Sequence, residues 1–272
     1  MMQQALTHDQ MMRYAPSIYA TEAHASRSDR FRVIPTASVL KALEREGFEP
    51  FKVVQCRTRD ASRREYTKHM VRLRKAGDAA FAAGSTSEIV LKNANDGSSS
   101  YELMAGIYRL VCSNGMIVGD TYDSVRVKHQ GDVVRGVIEG SYKVLETAHR
   151  ALDVAADWKQ IRMSNEAQMA LAEAAHVLRF DIDSETPIEP KQLLTPRRRD
   201  DLEPDLWTTF NRIQENCLRG GLSARAPMTI DERGRRIRGR MVTTREVRGI
   251  DQDVRLNKAL WTLAESMAKI LH

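Results

Sequence analysis

From Phe51 onward the apolar residues of this chain change their spacing once, near residue 130, and that change limits how the chain can be layered. Before it, short apolar runs alternate with polar residues at a period of two, the spacing of half-buried strands. Phe51 to Thr58, Tyr66 to Arg74, Glu88 to Asn93, Tyr101 to Cys112 and Ser124 to His129 are the predicted strands. Asn95-Asp96-Gly97 signals a turn. Asn114-Gly115 is the strongest hairpin signal, expected to fold Met116 to Val118 back. After residue 130, Val133 to Trp158 carries apolar side chains at 134, 137, 138, 144, 145, 148, 152 and 155, the stripe of one long helix. Strands first and helices after predict an α+β fold. In it a twisted antiparallel β-sheet packs on a long helix, followed by a helical C-terminal region with a basic loop or hairpin.

Punctuation along the chain refines this layout. A short helix is expected near Thr7, and Thr36 is placed to cap a helix carrying Val39, Leu40 and Leu43 that ends at Gly47. Gly136 and Gly140 share a face of the long helix and permit close approach of another backbone. Asn165 is read as the cap of a helix ending near Phe180. Pro187, Pro190, Pro196 and Arg197-Arg198-Arg199 then mark a connection. Residues 1–180 are thus expected as an α+β core, 181–203 as a connecting segment and 204–272 as a helical region. A helix from Pro204 to Leu218 precedes Gly220-Gly221. A final helix from Asp253 to Leu271 is expected to bury Leu256, Leu260, Leu263, Met267 and Ile270. Trp158, Trp207 and Trp261 are read as core.

Charge is concentrated. The 272 residues carry a net charge of +6. Lys52 to Lys75 alone holds nine Lys/Arg against two acids, and Arg219 to Arg248 holds nine arginines against three, so the remainder is net acidic by 7. That is the distribution of a polyanion binder, in which each neutralised phosphate releases counterions. Seven of the sixteen residues from Arg233 to Arg248 are arginine, with no lysine among them. Arginine offers a permanently charged planar fork that binds phosphate bidentately and stacks on bases. The candidate contacts are therefore Arg57, Arg59, Arg63, Arg64, Lys68, Arg72, Arg74 and Lys75 on the sheet, and Arg233, Arg235, Arg236, Arg238 and Arg240 in the C-terminal region. Lys68, Arg72 and Arg74 share one parity, which places them on a single sheet face where something must neutralise their repulsion. Phe51, Tyr66, Tyr101, Tyr108 and Tyr122 lie near that face as candidates for base stacking.

Catalytic signals are weak. Cys56, Cys112 and Cys217 are far apart, the pattern of reduced thiols, and the histidines have no metal-ligand spacing. Cys112 lies before the expected turn with no base near it, and Asp181, Asp183 and Glu185 lack the glycine and terminal glutamate of a calcium loop. His69 and His129 lie in strands with basic neighbours. No P-loop or dinucleotide fingerprint is present, no cofactor is expected, and no apolar run approaches the ~18 residues of a membrane span. A soluble cytoplasmic protein is expected.

Several motifs carry a resemblance. Ala15-Pro16-Ser17-Ile18-Tyr19-Ala20, Ile34-Pro35-Thr36, His69-Met70-Val71-Arg72-Leu73-Arg74 and Leu110-Val111-Cys112-Ser113-Asn114-Gly115 resemble the signatures of a phage- and plasmid-related family. So do Thr243 to Asp251 and Asn257-Lys258-Ala259-Leu260-Trp261. The family is that catalogued as domain of unknown function 932, and the similarity spans nearly the whole chain. Its mobile-element setting implies DNA maintenance or recombination. The order of sheet and long helix also resembles the β-β-β-α core of ring-forming single-strand-annealing recombinases, an analogy of fold alone.

The leading expectation is a non-enzymatic protein that binds and anneals single-stranded DNA as a homo-oligomer, a ring or a filament. Phosphates would lie along the basic sheet face and the arginine segment would close over them. Two other classes stand beside it. One is a metal-dependent nuclease using acids such as Glu88, Glu102 or Asp120; the other is a regulatory or anti-defence protein whose arginine segment binds an acidic partner.

Overall fold

The computed structural model describes residues 4–22, 34–78, 81–96, 98–110, 114–119, 124–128, 131–180, 186–230 and 232–271. It forms two compact units, Met1–Val154 and Ala155–His272, dividing upstream of the 181–203 connection that the sequence marks.

The first unit is an α+β layer pair. Helices α1 (His8–Tyr14) and α2 (Thr36–Arg45) precede the strands β1 (Phe48–Gln55), β2 (His69–Lys75), β3 (Phe81–Ala82), β4 (Ser85–Asn93), β5 (Tyr101–Arg109), β6 (Asn114–Ile117) and β7 (Val125–Val127). The sheet is antiparallel in the order β1-β2-β4-β5-β6, with β3 paired to β4 and β7 to β5. Directly opposite residues share a face. Val71 opposite Leu91, Leu91 opposite Leu103, and Leu73 opposite Ile89 therefore build one apolar surface, all of it buried. The long helix α3 (Val133–Trp158) matches its sequence-predicted bounds. Its two small residues explain how it reaches the sheet. A Cβ on Gly140 would stand 2.8 Å from both Leu103 and Val125, and one on Gly136 would stand 3.1 Å from Val127. The glycines admit strand side chains rather than another backbone.

Two local expectations are corrected here. Asn114 and Gly115 do not form the hairpin turn: Asn114 pairs with Arg109 and Gly115 with Tyr108, so both belong to strand β6. Thr36 does not cap α2 but begins it, and its hydroxyl turns into the interior.

The second unit is helical. Its helices are α4 (Asn165–Phe180), α5 (Leu206–Arg219) and α6 (Ile250–Leu271), with 3₁₀ turns at Pro190–Leu194 and Arg199–Asp201. Ser164, not Asn165, caps α4: its hydroxyl accepts from the Ala167 amide at 3.2 Å. Helix α5 is buried from Leu206 to Leu218, which requires apolar neighbours on one side and satisfied polar ones on the other. Trp158, Trp207, Phe210 and Trp261 supply the first, with ring centroids 4.6 to 6.4 Å apart. Arg198 supplies the second through a two-pronged pair with Glu215 at 2.7 and 2.9 Å, so this part of the arginine triplet is structural. Helix α6 starts three residues earlier than expected. It buries Leu256 and Leu260 as expected, together with Ile250, Val254, Trp261, Ala264 and Ala268, while Leu263 and Met267 are half-buried and Ile270 is exposed. Among the described residues no helix is long and apolar enough to cross a membrane.

Candidate nucleic-acid interface

Between α5 and α6 the arginine segment forms a β-ribbon. Strand β8 (Ser223–Arg225) pairs with β11 (Met241–Thr243), and β9 (Thr229–Ile230) pairs with β10 (Arg236–Ile237). Both ladders keep one register: Ser223 opposes Thr243, Arg225 opposes Met241, and Ile230 opposes Arg236. The Ala226 amide donates to the Arg240 carbonyl at 2.9 Å between them, so 223–230 and 236–243 are one continuous arm. At ~3.3 Å per residue it is about 26 Å long. Gly239 is fixed by close approach, since a Cβ there would collide with the Ala226 carbonyl.

The alternation of a strand sorts the side chains of this arm. Arg236 lies on β10, and Arg238 and Arg240 lie between the two ladders; the register kept on either side puts the three on one face, and all three are exposed. Continuing the register places Ile230, Met228 and Ala226 opposite them on that same face, with Ile230 71% and Met228 58% exposed. Arg233 and Arg235 lie in the exposed tip, where Gly234 takes φ +74°.

The root of the arm is fastened by side chains of its own unit. Arg179 donates to the carbonyls of Cys217 at 2.8 Å and Arg245 at 2.9 Å. Arg197 donates to Asn216 Oδ1 at 2.8 Å and to the Gly220 carbonyl. Gln192 reaches the Ser223 carbonyl at 3.1 Å. The segment is thus a ribbon with a fixed base.

The sheet residues divide into two groups. Arg57, Arg59, Arg63 and Arg64 are exposed, and 61–66 is a 3₁₀ turn capped by Asp60, not a strand. Lys68 precedes β2 and is half-buried. Arg72 and Arg74 do share one face, but that face is internal. Arg72, with its side chain 3% exposed, donates to Glu88 Oε2 at 3.0 Å and to the carbonyls of Met116 and Gly115. Arg74 donates to Glu88 Oε1 at 2.9 Å and lies against the rings of Tyr108 and Phe51, 3.7 and 4.2 Å from their centroids. Lys75 donates to the Glu46 carbonyl at 2.7 Å and to the Tyr142 hydroxyl at 3.2 Å. The continuous groove from Arg57 to Lys75 is therefore corrected: Arg72, Arg74 and Lys75 hold the sheet, and the exposed basic surface ends near Arg64.

The other candidates are also placed. Glu88 gives both carboxylate oxygens to arginines, and Glu102 is held by Lys92 at 2.6 Å and Arg126 at 3.5 Å. Among the described residues no three His, Cys, Asp or Glu side chains group as metal ligands. Tyr101 and Tyr108 are buried and offer no stacking platform, while Phe51 is engaged with Arg74. Burial pushes the Cys217 thiol up to about 12, partly offset by Arg179, so it stays protonated. Cys112, Asp120, Tyr122, His129, Asp181, Asp183 and Glu185 lie outside the described residues.

Residues 23–261 match the family described as Domain of unknown function (DUF932). The chain belongs to that family. UPF0380 protein YafZ and UPF0380 protein YfjQ of Escherichia coli (strain K12) are each 45% identical to it over 262 residues, 96% of this chain and 91% of the relative. No solved structure matches.

In this DUF932 chain three of the sequence motifs meet in a buried polar cluster that the linear pattern did not reveal. The His69 ring lies between the hydroxyls of Ser17 (Nδ1, 2.9 Å) and Thr36 (Nε2, 2.9 Å). Asn93 donates to Thr36 at 3.0 Å, and Tyr101 donates to the Ile34 carbonyl at 2.8 Å. Ser17 also bonds Gln55 at 3.0 Å, whose amide donates to the Arg64 carbonyl at 2.6 Å and so ties the exposed basic turn to this cluster. Burial drives the His69 pKa down to about 4, partly offset by a backbone hydrogen bond at Thr67, so the ring is neutral at pH 7. Ser17 and His69 are 0% exposed, and the cluster fastens α2, β2 and the 16–19 turn to one another. A serine, a threonine and a histidine in three separate motifs were its only sequence signal.

Proposed function

We propose that this DUF932 chain binds nucleic acid through the arm of β8 to β11. The observation that carries this is the ribbon itself: three exposed arginines in register on one face, on a root fixed by Arg179, Arg197 and Gln192. Arg72 and Arg198 spend their charge on buried carboxylates, and Arg179 and Arg197 on carbonyls at the root. Arg236, Arg238 and Arg240 are exposed to solvent, where a bound phosphate can release its counterions. Arg57, Arg59, Arg63 and Arg64 form a second phosphate-binding surface, on the first unit. Single-strand annealing along the sheet loses its support, because the face that was to carry the strand is internal at Arg72 and Arg74.

The test is binding of the full chain to labelled DNA by fluorescence anisotropy across a salt series. Affinity should fall linearly in log–log form, and Arg236→Ala/Arg238→Ala/Arg240→Ala should weaken it at every salt concentration while far-UV circular dichroism is unchanged. Absence of binding by the wild type at low salt, or equal binding by the variant, would remove the proposal.

A further inference from the structure

The arm also carries information about which nucleic acid it takes. We infer that it enters the major groove of duplex DNA and reads base edges there, an inference that rests on the nucleic-acid reading above. Four features of the arm point the same way.

The first is width. Two paired strands lie ~4.8 Å apart, and with side chains such a ribbon fits the ~12 Å major groove but not the ~6 Å minor groove. The second is pitch. Alternate residues on one strand are ~6.8 Å apart, which is two steps of the ~3.4 Å rise per base pair. Side chains with the spacing of Arg236, Arg238 and Arg240 thus recur on the scale of about one to two base-pair steps.

The third is side-chain chemistry. Arginine alone, with no lysine, is what bidentate contact with O6 and N7 of guanine requires, since an ammonium cannot form the fork. The arm exposes apolar side chains on both faces, Ile230 and Met228 directly across from the arginines and Ile237 and Met241 on the other side, which phosphate contact does not call for. Thymine offers its C5 methyl group at that depth in the major groove. The opposite face carries one arginine, Arg225, which donates to the Gly239 carbonyl within the arm at 3.0 Å.

The fourth is what the arm lacks. Residues 223–243 contain no aromatic side chain. Binding of single strands draws on stacking of bases against aromatic rings, so the arm is poorly equipped for it. Duplex RNA is excluded on shape, because its major groove is too deep and narrow for a ribbon to enter.

The experiment uses the full chain. A 20-base-pair duplex enriched from a random pool is compared with its separated strands, with duplex RNA of the same sequence, and with the duplex carrying 7-deazaguanine, which lacks the N7 acceptor. The duplex DNA should bind best, and 7-deazaguanine should cost at least tenfold in affinity. Arg236→Lys/Arg238→Lys/Arg240→Lys keeps the charge and removes the fork. It should retain salt-dependent binding but lose the preference for the enriched sequence and its sensitivity to 7-deazaguanine. Tighter binding to single strands or RNA, indifference to 7-deazaguanine, or a lysine variant that behaves as wild type would each overturn the major-groove inference while leaving nucleic-acid binding intact. No binding to any of these probes would overturn both.

Discussion

Replacing Glu88 by glutamine tests the internal charge cluster of the sheet. The substitution keeps the shape of the side chain and removes one charge. In the native chain each Glu88 oxygen accepts from a different arginine, Arg72 at 3.0 Å and Arg74 at 2.9 Å. Glutamine leaves one acceptor, and its amide hydrogens face a guanidinium that can only donate. Two cations then remain on a buried face with no anion between them. Arg74 loses less, because the rings of Phe51 and Tyr108 still hold it and its side chain is 13% exposed. Arg72 keeps only the two carbonyls of Gly115 and Met116. Leaving one buried charge unpaired costs about 3–5 kcal/mol, and most of that falls on Arg72. For a unit of this size it lowers the melting temperature by about 10 °C. Far-UV circular dichroism during thermal and urea unfolding is the assay. Tryptophan emission is not suited to it, because Trp158, Trp207 and Trp261 all lie in the second unit. A loss below about 1 kcal/mol would refute the view that Glu88 balances two internal cations, since an exposed pair is worth no more than that. Arg72→Met with Glu88→Leu should recover part of the loss, as paired removal of buried charges often does.

Three further outcomes are expected. The folded-state pKa of His69 is about 4. The unfolded value is about 6.5, so the unfolded chain takes up the proton first and stability falls as pH drops from 6.5 through 4. The stability measured by urea unfolding should therefore decline by about 1.6 kcal/mol between pH 6.5 and 5, and His69→Gln should flatten that window; a wild-type stability constant there would contradict the buried neutral ring. Gly140→Ala places a Cβ 2.8 Å from Leu103 and Val125, and should cost about 1–3 kcal/mol in urea unfolding; a neutral result would show that α3 packs elsewhere. Arg57→Ala/Arg59→Ala/Arg63→Ala/Arg64→Ala should reduce the salt slope of duplex binding by about 0.9 for each phosphate no longer neutralised, and an unchanged slope would clear that surface of a role.

How much of this was legible depended on what each signal reports. The 3.6-residue stripe gave α3 its bounds because a helix writes its whole contact face into one segment. Period two placed Arg72 and Arg74 on one sheet face correctly. Parity cannot say what the face meets, and the answer was Glu88 on another strand. Asn114-Gly115 looked like a turn because that pair favours one. Its glycine is needed for a different reason: a Cβ on Gly115 would stand 2.6 Å from the Arg72 guanidinium. Arginine density marked the arm, but its register did not show, since glycine and arginine leave little apolar alternation between 233 and 240. The His69 cluster was least visible. Single hydroxyls at 17 and 36 have no periodicity to betray them.

The way the arm is mounted bears on how the chain can change over evolutionary time. Its fastening uses Arg179, Arg197 and Gln192 against backbone carbonyls, which any residue at those positions presents equally well. Among the described residues between 223 and 243 no side chain is buried, and exposed substitutions of that kind shift stability by only about 0.5 kcal/mol. Positions 226, 228, 230, 236, 238 and 240 are therefore free to vary without endangering the scaffold beneath them. A library randomised at those six sites should yield mostly folded proteins, one scaffold carrying an interchangeable outer surface.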